Sequence, residues 1–466
     1  MIVQKLIAKY GLAAHLAILA VAPLFLFPFC SERVVAAVLL WLSLLTGLWM
    51  VLEPSVHGGE RLHDARHRVA SALLLDPLSW VLLAGIIFSG LRALNTGIAF
   101  KYNAETAVWY VSSAMVPIFP GVVDSSGDLD FAVAVALFVL IQSCRHSAGR
   151  LARMAFLLMA AALAGLAAVV SLWALREGHL GAGLLLPSAS SGSCSFAGFS
   201  FCLYLIGGLV SLAAIFENKW NMAVLLVLLG VSGAGAGMIA FAPDYQILAF
   251  SVIALVVLLY VSFYLYWVMR SSSEFKFLVV AGIALTLGGL MVVFFLPSEM
   301  LDGHIVAFES LKFFSERYWE VRKLLSDVAF GTWTSNLWIG TGLGSFFFDF
   351  RFAAKPEDWL LLPRNMTALA NGWWFVLVER GIVGFVFLIL PCGFLLVSYA
   401  RRLIVSLPEM RIPHPTALLL PLTLVLFVGG AFFDCSAFRA DALLVIGPLA
   451  AISATAFSER KRGKNG

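Results

Sequence analysis

Long apolar stretches separated by short polar segments occupy most of this chain. A helix needs about 20 apolar residues to cross the hydrocarbon core of a bilayer. By this criterion the chain has about twelve transmembrane helices. The predicted spans cover residues 11–29, 33–52, 73–91, 131–144, 154–175, 196–216, 222–241, 245–269, 276–296, 368–400, 416–433 and 441–457. The pattern therefore predicts an all-α polytopic membrane protein.

One long polar segment interrupts the pattern between the ninth and tenth predicted spans. It divides the chain into residues 1–296 with spans one to nine, a large loop over 297–370, and residues 371–466 with the last three spans and a basic tail. Within the loop, apolar residues recur at helical spacing from Phe308 to Val328. We expect an amphipathic helix from His304 to Phe330, so the loop is partly helical.

The composition supports a membrane protein, and the net charge gives no argument for nucleic-acid binding, which we do not expect. Hydrophobic residues make up 61% of the chain and charged residues 12%, and the mean hydropathy is +0.95. A soluble domain has about 25% charged residues. The net charge of +4 comes from short loops and the basic tail, where lysines and arginines act as topology signals.

The distribution of basic residues predicts the orientation in the membrane. Lysines and arginines concentrate in the segments that follow even-numbered spans, including residues 61–68, 145–153 and 401–411. Such short basic segments stay in the cytoplasm. Since an even number of spans returns the chain to its starting side, we expect both termini inside and the long loop outside.

Three polar motifs raise the question of a metal or phosphate site. His57, His63 and His67 are irregularly spaced, and a solvated loop is favoured over a metal site. The pair Asp128 and Asp130 could hold a divalent cation, but a polar N-terminal cap on the fourth span is favoured. We therefore predict no metal and no cofactor. Residues 340–345, Gly-Thr-Gly-Leu-Gly-Ser, would suit either a phosphate cradle or a tight turn, and the turn is favoured.

Three motifs in order resemble those of a known family. They are Arg-Tyr-Trp-Glu-Val-Arg at 317–322, Trp-Ile-Gly-Thr-Gly-Leu-Gly-Ser-Phe at 338–346, and Ala370-Asn371 followed after nine residues by Gly381-Ile382-Val383-Gly384. Together they resemble the O-antigen ligase and polymerase family, which has H-[NSQ]-x9-G-x-x-G at the end of a large periplasmic loop. Twelve spans with this loop between the ninth and tenth are also similar to the ligase architecture.

The resemblance implies a membrane glycosyltransferase. Such an enzyme transfers a glycan from an undecaprenyl diphosphate carrier to an acceptor hydroxyl, on a lipid A core or a growing polysaccharide. The reaction takes place at the periplasmic face of the bacterial inner membrane. Two positions depart from the family: Ala370 stands where the family has its histidine, and Ala234 where it has an arginine. The chain is then a divergent member that uses other groups, carries inactivating or engineered substitutions, or has lost the activity.

The chemistry implied by this resemblance needs cations for the diphosphate and a base for the acceptor. A guanidinium meets phosphate oxygens through paired hydrogen bonds without a metal. Arg380 is the foremost candidate, because an ionisable residue inside a span is a functional hypothesis by default. The candidate substrate-binding residues are Arg317, Arg322, Arg364, Arg380, Arg439 and Asn371. His304 or Glu379 is the candidate base.

A transporter or flippase is the alternative, because twelve spans are equally usual in that class. A transporter with two six-span halves would show a long cytoplasmic link at mid-chain. Here that link is only residues 217–221, and no repeat of one half in the other is visible. The sequence therefore favours the glycosyltransferase.

Overall fold

The fold is described from a computed structural model of the chain. The structure describes residues 2–26, 30–58, 70–71, 73–94, 100–103, 108–111, 126–147, 155–156, 159–160, 162–163, 316–343, 371–406, 431, 438 and 440–455. The described helices are α1 (Ile2–Leu26), α2 (Glu32–Gly58), α3 (Pro77–Ala93), α4 (Ser126–Gln142), α5 (Glu316–Ser335), α6 (Gly372–Ser406) and α7 (Ala440–Thr455). A π-helical turn, Ser143–Ser147, extends α4.

Several of these helices have the length and apolar character of membrane spans. Three are long enough to cross a bilayer, over Glu32–Val51, Gly127–His146 and Gly372–Arg402. Shorter apolar helices cover Gly11–Pro23, Pro77–Ala93 and Leu443–Ile452. The described part of the chain is therefore that of a helical membrane protein. These helices coincide with the first four, the tenth and the twelfth predicted spans, whereas spans six to nine lie outside the described residues.

One short piece departs from the all-α prediction. Strands β1 (Phe100–Asn103) and β2 (Val108–Val111) form an antiparallel hairpin that pairs Phe100 with Val111 and Asn103 with Val108. From the sequence, residues 92–130 are expected to be an external segment in which residues 107–111 form an interfacial piece with aromatic anchors. The alternation of aromatic and β-branched residues in Val-Trp-Tyr-Val is typical of a strand, and this signal was missed.

Helices α1, α2, α4 and α7 pack around one apolar core. Leu16, Leu39, Leu140 and Leu449 are buried in this core. Alanines fill many of the interhelical positions, among them Ala13, Ala17, Ala20, Ala36, Ala132 and Ala136. Lipid tails are as apolar as leucine, so membrane helices associate through close packing, which small side chains permit.

Helices α3 and α4 pack together and carry ionic groups at both ends of the pair. At one end Asp76 caps α3 and forms an ion pair with Arg145 on the π-helical turn. Gln142 donates to the same carboxylate at 3.5 Å, and His146 Nε2 lies 3.7 Å from it. At the other end lies Arg92, which is sixteen residues along from Asp76, or about 24 Å at 1.5 Å per residue. This separation approaches the roughly 30 Å thickness of the hydrocarbon core.

Candidate functional site

Helix α6 is interrupted at Gly381. This residue has φ 63° and ψ −171°, a backbone conformation that is essentially restricted to glycine. The helix therefore consists of an entering half, residues 372–380, and a longer half that begins at residue 382. We call this interruption the helix break. In a membrane-spanning helix, irregular backbone is tolerated only where other protein groups satisfy it or where it lines a cavity.

Residues 337–342, which follow α5, satisfy the donors at the helix break, and we call them the docked turn. In a continuous helix the N–H groups of Ile382 and Val383 would bond to carbonyls four residues earlier. Here the Ile382 N–H donates to the Leu337 carbonyl at 3.0 Å, and the Val383 N–H donates to the Trp338 carbonyl at 3.0 Å.

The docked turn also satisfies the two acceptors at the helix break. The Val378 carbonyl accepts from the Thr341 N–H at 2.8 Å and from its hydroxyl at 3.2 Å. The Glu379 carbonyl accepts from the Gly342 N–H at 3.2 Å. The four backbone groups that would pair with one another in a continuous helix are thus all paired with the docked turn.

This arrangement distinguishes the two interpretations of the glycine-rich segment, a phosphate cradle and a tight turn. Gly340 and Gly342 have positive φ angles of 78° and 114°, as a tight turn requires. The N–H groups of Thr341 and Gly342 point to α6 rather than to a phosphate. The tight-turn interpretation is confirmed, but the turn docks on the helix break. Residues 344–348, which complete the segment and follow it, lie outside the described residues.

Gly384, the second glycine of the Gly-x-x-Gly motif, makes room for Arg380. A Cβ at Gly384 would overlap the Cβ of Arg380 and lie 3.4 Å from Cε1 of Phe88 on α3. The Arg380 guanidinium reaches α4, where its Nη2 lies 2.5 Å from Oδ1 of Asp130. The two motif glycines therefore act on the same residue: Gly381 breaks the helix directly after Arg380, and Gly384 leaves space for its side chain.

Arg92 on α3 lies beside the same carboxylate and is fully buried, with 0% exposed. Its Nη2 donates to the Glu379 carbonyl at 2.7 Å, so α3 also contacts the helix break. Its guanidinium carbon lies 5.5 Å from the centre of the Phe88 ring. Asp130, Glu379 and Arg380 are all close enough to interact with it electrostatically. We call Arg92, Asp130, Glu379 and Arg380 the Arg380 cluster.

Sequence reasoning missed Arg92 as a functional candidate. The predicted third span ends at residue 91, so Arg92 falls in the external segment that follows it. In the structure it belongs to the last turn of α3. An arginine at the end of an apolar helix, with no acidic residue near it in sequence, was the available signal.

Asp128 and Asp130 lie beside different arginines in the structure. Asp130 pairs with Arg380, and Asp128 lies 4.0 Å from Arg33 in an exposed pair. Among the described residues no group of three or more metal-binding side chains occurs. The capping interpretation needs correction as well, because α4 begins at Ser126. Asp128 therefore lies in the first turn of α4, where its negative charge interacts favourably with the positive end of the helix dipole.

Asn371 has a structural role at the start of α6. Its side-chain oxygen accepts from the Trp373 N–H at 2.9 Å, which is a helix N-cap. The oxygen of the predicted substrate-binding amide is therefore already bonded to the backbone. Glu379, a candidate base, is buried beside Arg92 at the helix break.

Helix α5 places the docked turn against α6. Leu325, Ala329 and Thr332 are buried, while Lys323 and Asp327 are exposed. A helix is thus confirmed over residues 316–330 of the predicted segment, with its amphipathic faces described from residue 323, and it continues to Ser335. Residues 304–315 lie outside the described residues. Arg317 and Arg322 belong to this helix, but only their backbone is described. The candidates that lie outside the described residues are Ala234, His304, Arg364, Ala370 and Arg439.

Aromatic side chains join α5 to the start of α6. The rings of Phe330, Trp333 and Trp374 lie 5.9–6.0 Å apart, and Trp338 on the docked turn is exposed. Tryptophans are enriched where membrane helices meet water. These rings are consistent with a position of this end of α6 near the membrane surface.

The chain matches no protein-family model, no curated protein sequence and no solved structure. The function proposed next therefore rests on the Arg380 cluster and on the motif resemblance.

Proposed function

We propose that this chain is a membrane glycosyltransferase of the O-antigen ligase type. It transfers a glycan from undecaprenyl diphosphate to an acceptor hydroxyl, at the periplasmic face of a bacterial inner membrane and without a metal. The proposal includes twelve spans, both termini in the cytoplasm and a periplasmic loop over 297–370. The observation that carries it is the joint effect of Gly381 and Gly384, which hold Arg380 beside Arg92 and Asp130.

Arginine side chains suit the leaving group of this reaction. Glycan transfer leaves negative charge on the diphosphate, which positioned cationic donors stabilise. Guanidinium groups do so through paired hydrogen bonds of fixed geometry. Arg380 supplies this group at the cluster. Arg317, Arg322, Arg364 and Arg439 remain proposed contributors from the loop and from the start of the last span.

The position of the Arg380 cluster supports chemistry at a membrane face. Arg92 is the last residue but one of α3, and Asp130 is the fifth residue of α4. The cluster therefore lies at the end of this helix pair. The opposite end carries Arg145, in a basic segment that the positive-inside rule assigns to the cytoplasm. The cluster then faces the periplasm, where the carrier presents its glycan.

A transporter remains the second candidate, because interrupted helices such as α6 are typical of secondary transporters. In those proteins the interrupted helices surround a binding site near the bilayer midplane. In this chain the helix break lies close to the ends of α3 and α4. The geometry therefore favours a transferase.

A gene deletion in the source bacterium tests the proposal. Loss of a transferase should remove a surface polysaccharide and cause its lipid-linked precursor to accumulate. Wild-type protein should reverse both effects, whereas Arg380→Gln should fail to do so at equal expression. Arg33→Gln is the matched control. Arg33 is an external arginine whose side chain is 67% exposed, and its ion pair with Asp128 is long, at 4.0 Å. Unchanged surface glycans together with loss of uptake of a small solute would favour the transporter.

A further inference from the structure

Two buried groups of the Arg380 cluster are complementary but not bonded to each other. Among the described residues, neither Nε nor Nη1 of Arg92 has an acceptor, and Oδ2 of Asp130 has no donor. A buried charge without hydrogen bonds is strongly unfavourable. The unpaired N–H groups of Arg92 and the unpaired carboxylate oxygen of Asp130 thus lie in one cluster, where a bond between them would remove this cost.

Asp130 lies between two guanidinium groups and is bonded to only one of them. Its Oδ1 is 2.5 Å from Arg380 Nη2, while its charge also acts on Arg92. As long as Asp130 is paired with Arg380, that arginine has fewer N–H groups available to bind a substrate. An anion that binds Arg380 would also meet the negative charge of Asp130 at close range.

We propose that Asp130 exchanges between the two arginines: it pairs with Arg380 in the empty site and with Arg92 when a phosphate group of the donor lipid binds Arg380. This inference rests on the proposed function, because it takes the polyprenyl diphosphate as the ligand. Arg92 is then a positioning residue, which receives the displaced carboxylate and does not touch the substrate.

The exchange keeps Asp130 paired with a cation in both states. In the empty site Arg380 neutralises Asp130, and Arg92 retains its bond to the Glu379 carbonyl. In the occupied site the phosphate neutralises Arg380, and the Nε and Nη1 groups of Arg92 donate hydrogen bonds to the Asp130 carboxylate. The empty site has one ion pair and the occupied site has two, so the new Asp130–Arg92 pair largely offsets the penalty for separating Asp130 from Arg380. The Arg92 bond to α6 keeps its guanidinium in place throughout.

Binding measurements on the full-length protein in lipid nanodiscs test the exchange. The probes are undecaprenyl diphosphate, undecaprenol and inorganic pyrophosphate, which separate recognition of the diphosphate lipid from that of the chain or of free phosphate. Arg92→Gln should weaken binding of undecaprenyl diphosphate about 10-fold or more, since Asp130 can then no longer leave Arg380. Adding Asp130→Asn should restore binding to at least the wild-type level, because the neutral amide no longer competes for Arg380.

The rescue separates exchange from a merely structural role. If Arg92 only stabilised the fold, Asp130→Asn would not restore binding to Arg92→Gln, and that outcome would overturn the inference. Equal binding by Arg92→Gln and wild type would overturn it too. If the Arg92→Gln chain does not fold, Asp130→Asn alone decides: binding at least as tight as wild type is expected, and weaker binding contradicts the exchange.

A matched pair of variants controls for changes in the external charge. Arg33→Gln and Asp128→Asn remove an exposed arginine and an exposed aspartate of the same helix ends, and both should leave binding unchanged. If the wild-type protein does not distinguish undecaprenyl diphosphate from undecaprenol, the proposed function itself fails. If it does distinguish them but Arg92→Gln binds normally, only the exchange fails.

Discussion

The backbones of Gly340 and Gly381 are in direct contact. A Cβ on Gly381 would lie 2.5 Å from the Gly340 nitrogen, and a Cβ on Gly340 would lie 2.5 Å from the carbonyl carbon of Glu379. Neither position can therefore accept a side chain while the docked turn remains in place. Since Arg380 directly precedes Gly381, the docked turn and the Arg380 cluster form one structural unit.

The first prediction concerns Gly381. Gly381→Ala should destabilise the protein by about 2 kcal/mol or more, because alanine is strained at this φ and its Cβ would overlap the docked turn. Thermal unfolding in detergent measures this. Gly393→Ala is the matched control, since a Cβ there meets nothing within 4 Å, and it should be neutral or slightly stabilising. Equal effects of the two substitutions would contradict the observed break.

The second prediction concerns Gly384. Its replacement by alanine should push the Arg380 side chain away from Asp130, because the two Cβ atoms would overlap. We expect transferase activity to fall about 100-fold, since misplacement of a binding group by 1 Å can have that effect. The thermal stability should change less than in Gly381→Ala. Full activity of Gly384→Ala, measured beside Gly393→Ala, would show that the position of Arg380 is not limiting.

The third prediction concerns the opposite end of the α3 and α4 pair. Asp76→Asn should cost about 3–5 kcal/mol, because it leaves Arg145 largely buried without its counterion. Arg145→Gln should cost less, because His146 and Gln142 still lie beside the Asp76 carboxylate. The double variant should be more stable than the sum of the two effects predicts, as a double-mutant cycle measures. The same cycle on Arg33 and Asp128 should give a coupling below about 1 kcal/mol, because that pair is exposed.

The fourth prediction concerns orientation in the membrane. Cysteine introduced at Glu309 should react with a membrane-impermeant reagent added from outside, and cysteine introduced at Arg61 should not. Permeabilised cells should label both positions, which controls for buried thiols. Labelling of position 61 alone in intact cells would reverse the topology and remove the basis for periplasmic chemistry.

The fifth prediction concerns residue 370. It directly precedes Asn371, which caps α6, and the family resemblance places a histidine there. Ala370→His should raise transferase activity about 100-fold, because imidazole can act as a general base near neutral pH. An in vitro transfer assay with Ala370→Gln as a non-basic control measures this. If wild type is already fully active and histidine adds nothing, the base is His304, Glu379 or a group of the acceptor.

The sequence by itself determined the membrane class, the six predicted spans that coincide with described helices, and the amphipathic character of α5. These properties depend on local hydropathy and on the spacing of apolar residues, which neighbours in sequence carry. It also singled out Arg380 as a charge inside an apolar span, and Gly381 and Gly384 through the motif resemblance. The hairpin β1–β2 was missed, since two four-residue strands give only a weak signal among longer apolar stretches.

Only the tertiary structure decided what those residues contact. Residues 337–342 and α6 exchange backbone hydrogen bonds, which no side-chain pattern encodes. Arg92 bonds to the Glu379 carbonyl 287 positions away, and Asp130 bonds to Arg380 from another helix. The physical reason is that a buried charge finds its partner through helix packing, so Arg92 became recognisable only once α3, α4 and α6 were brought together.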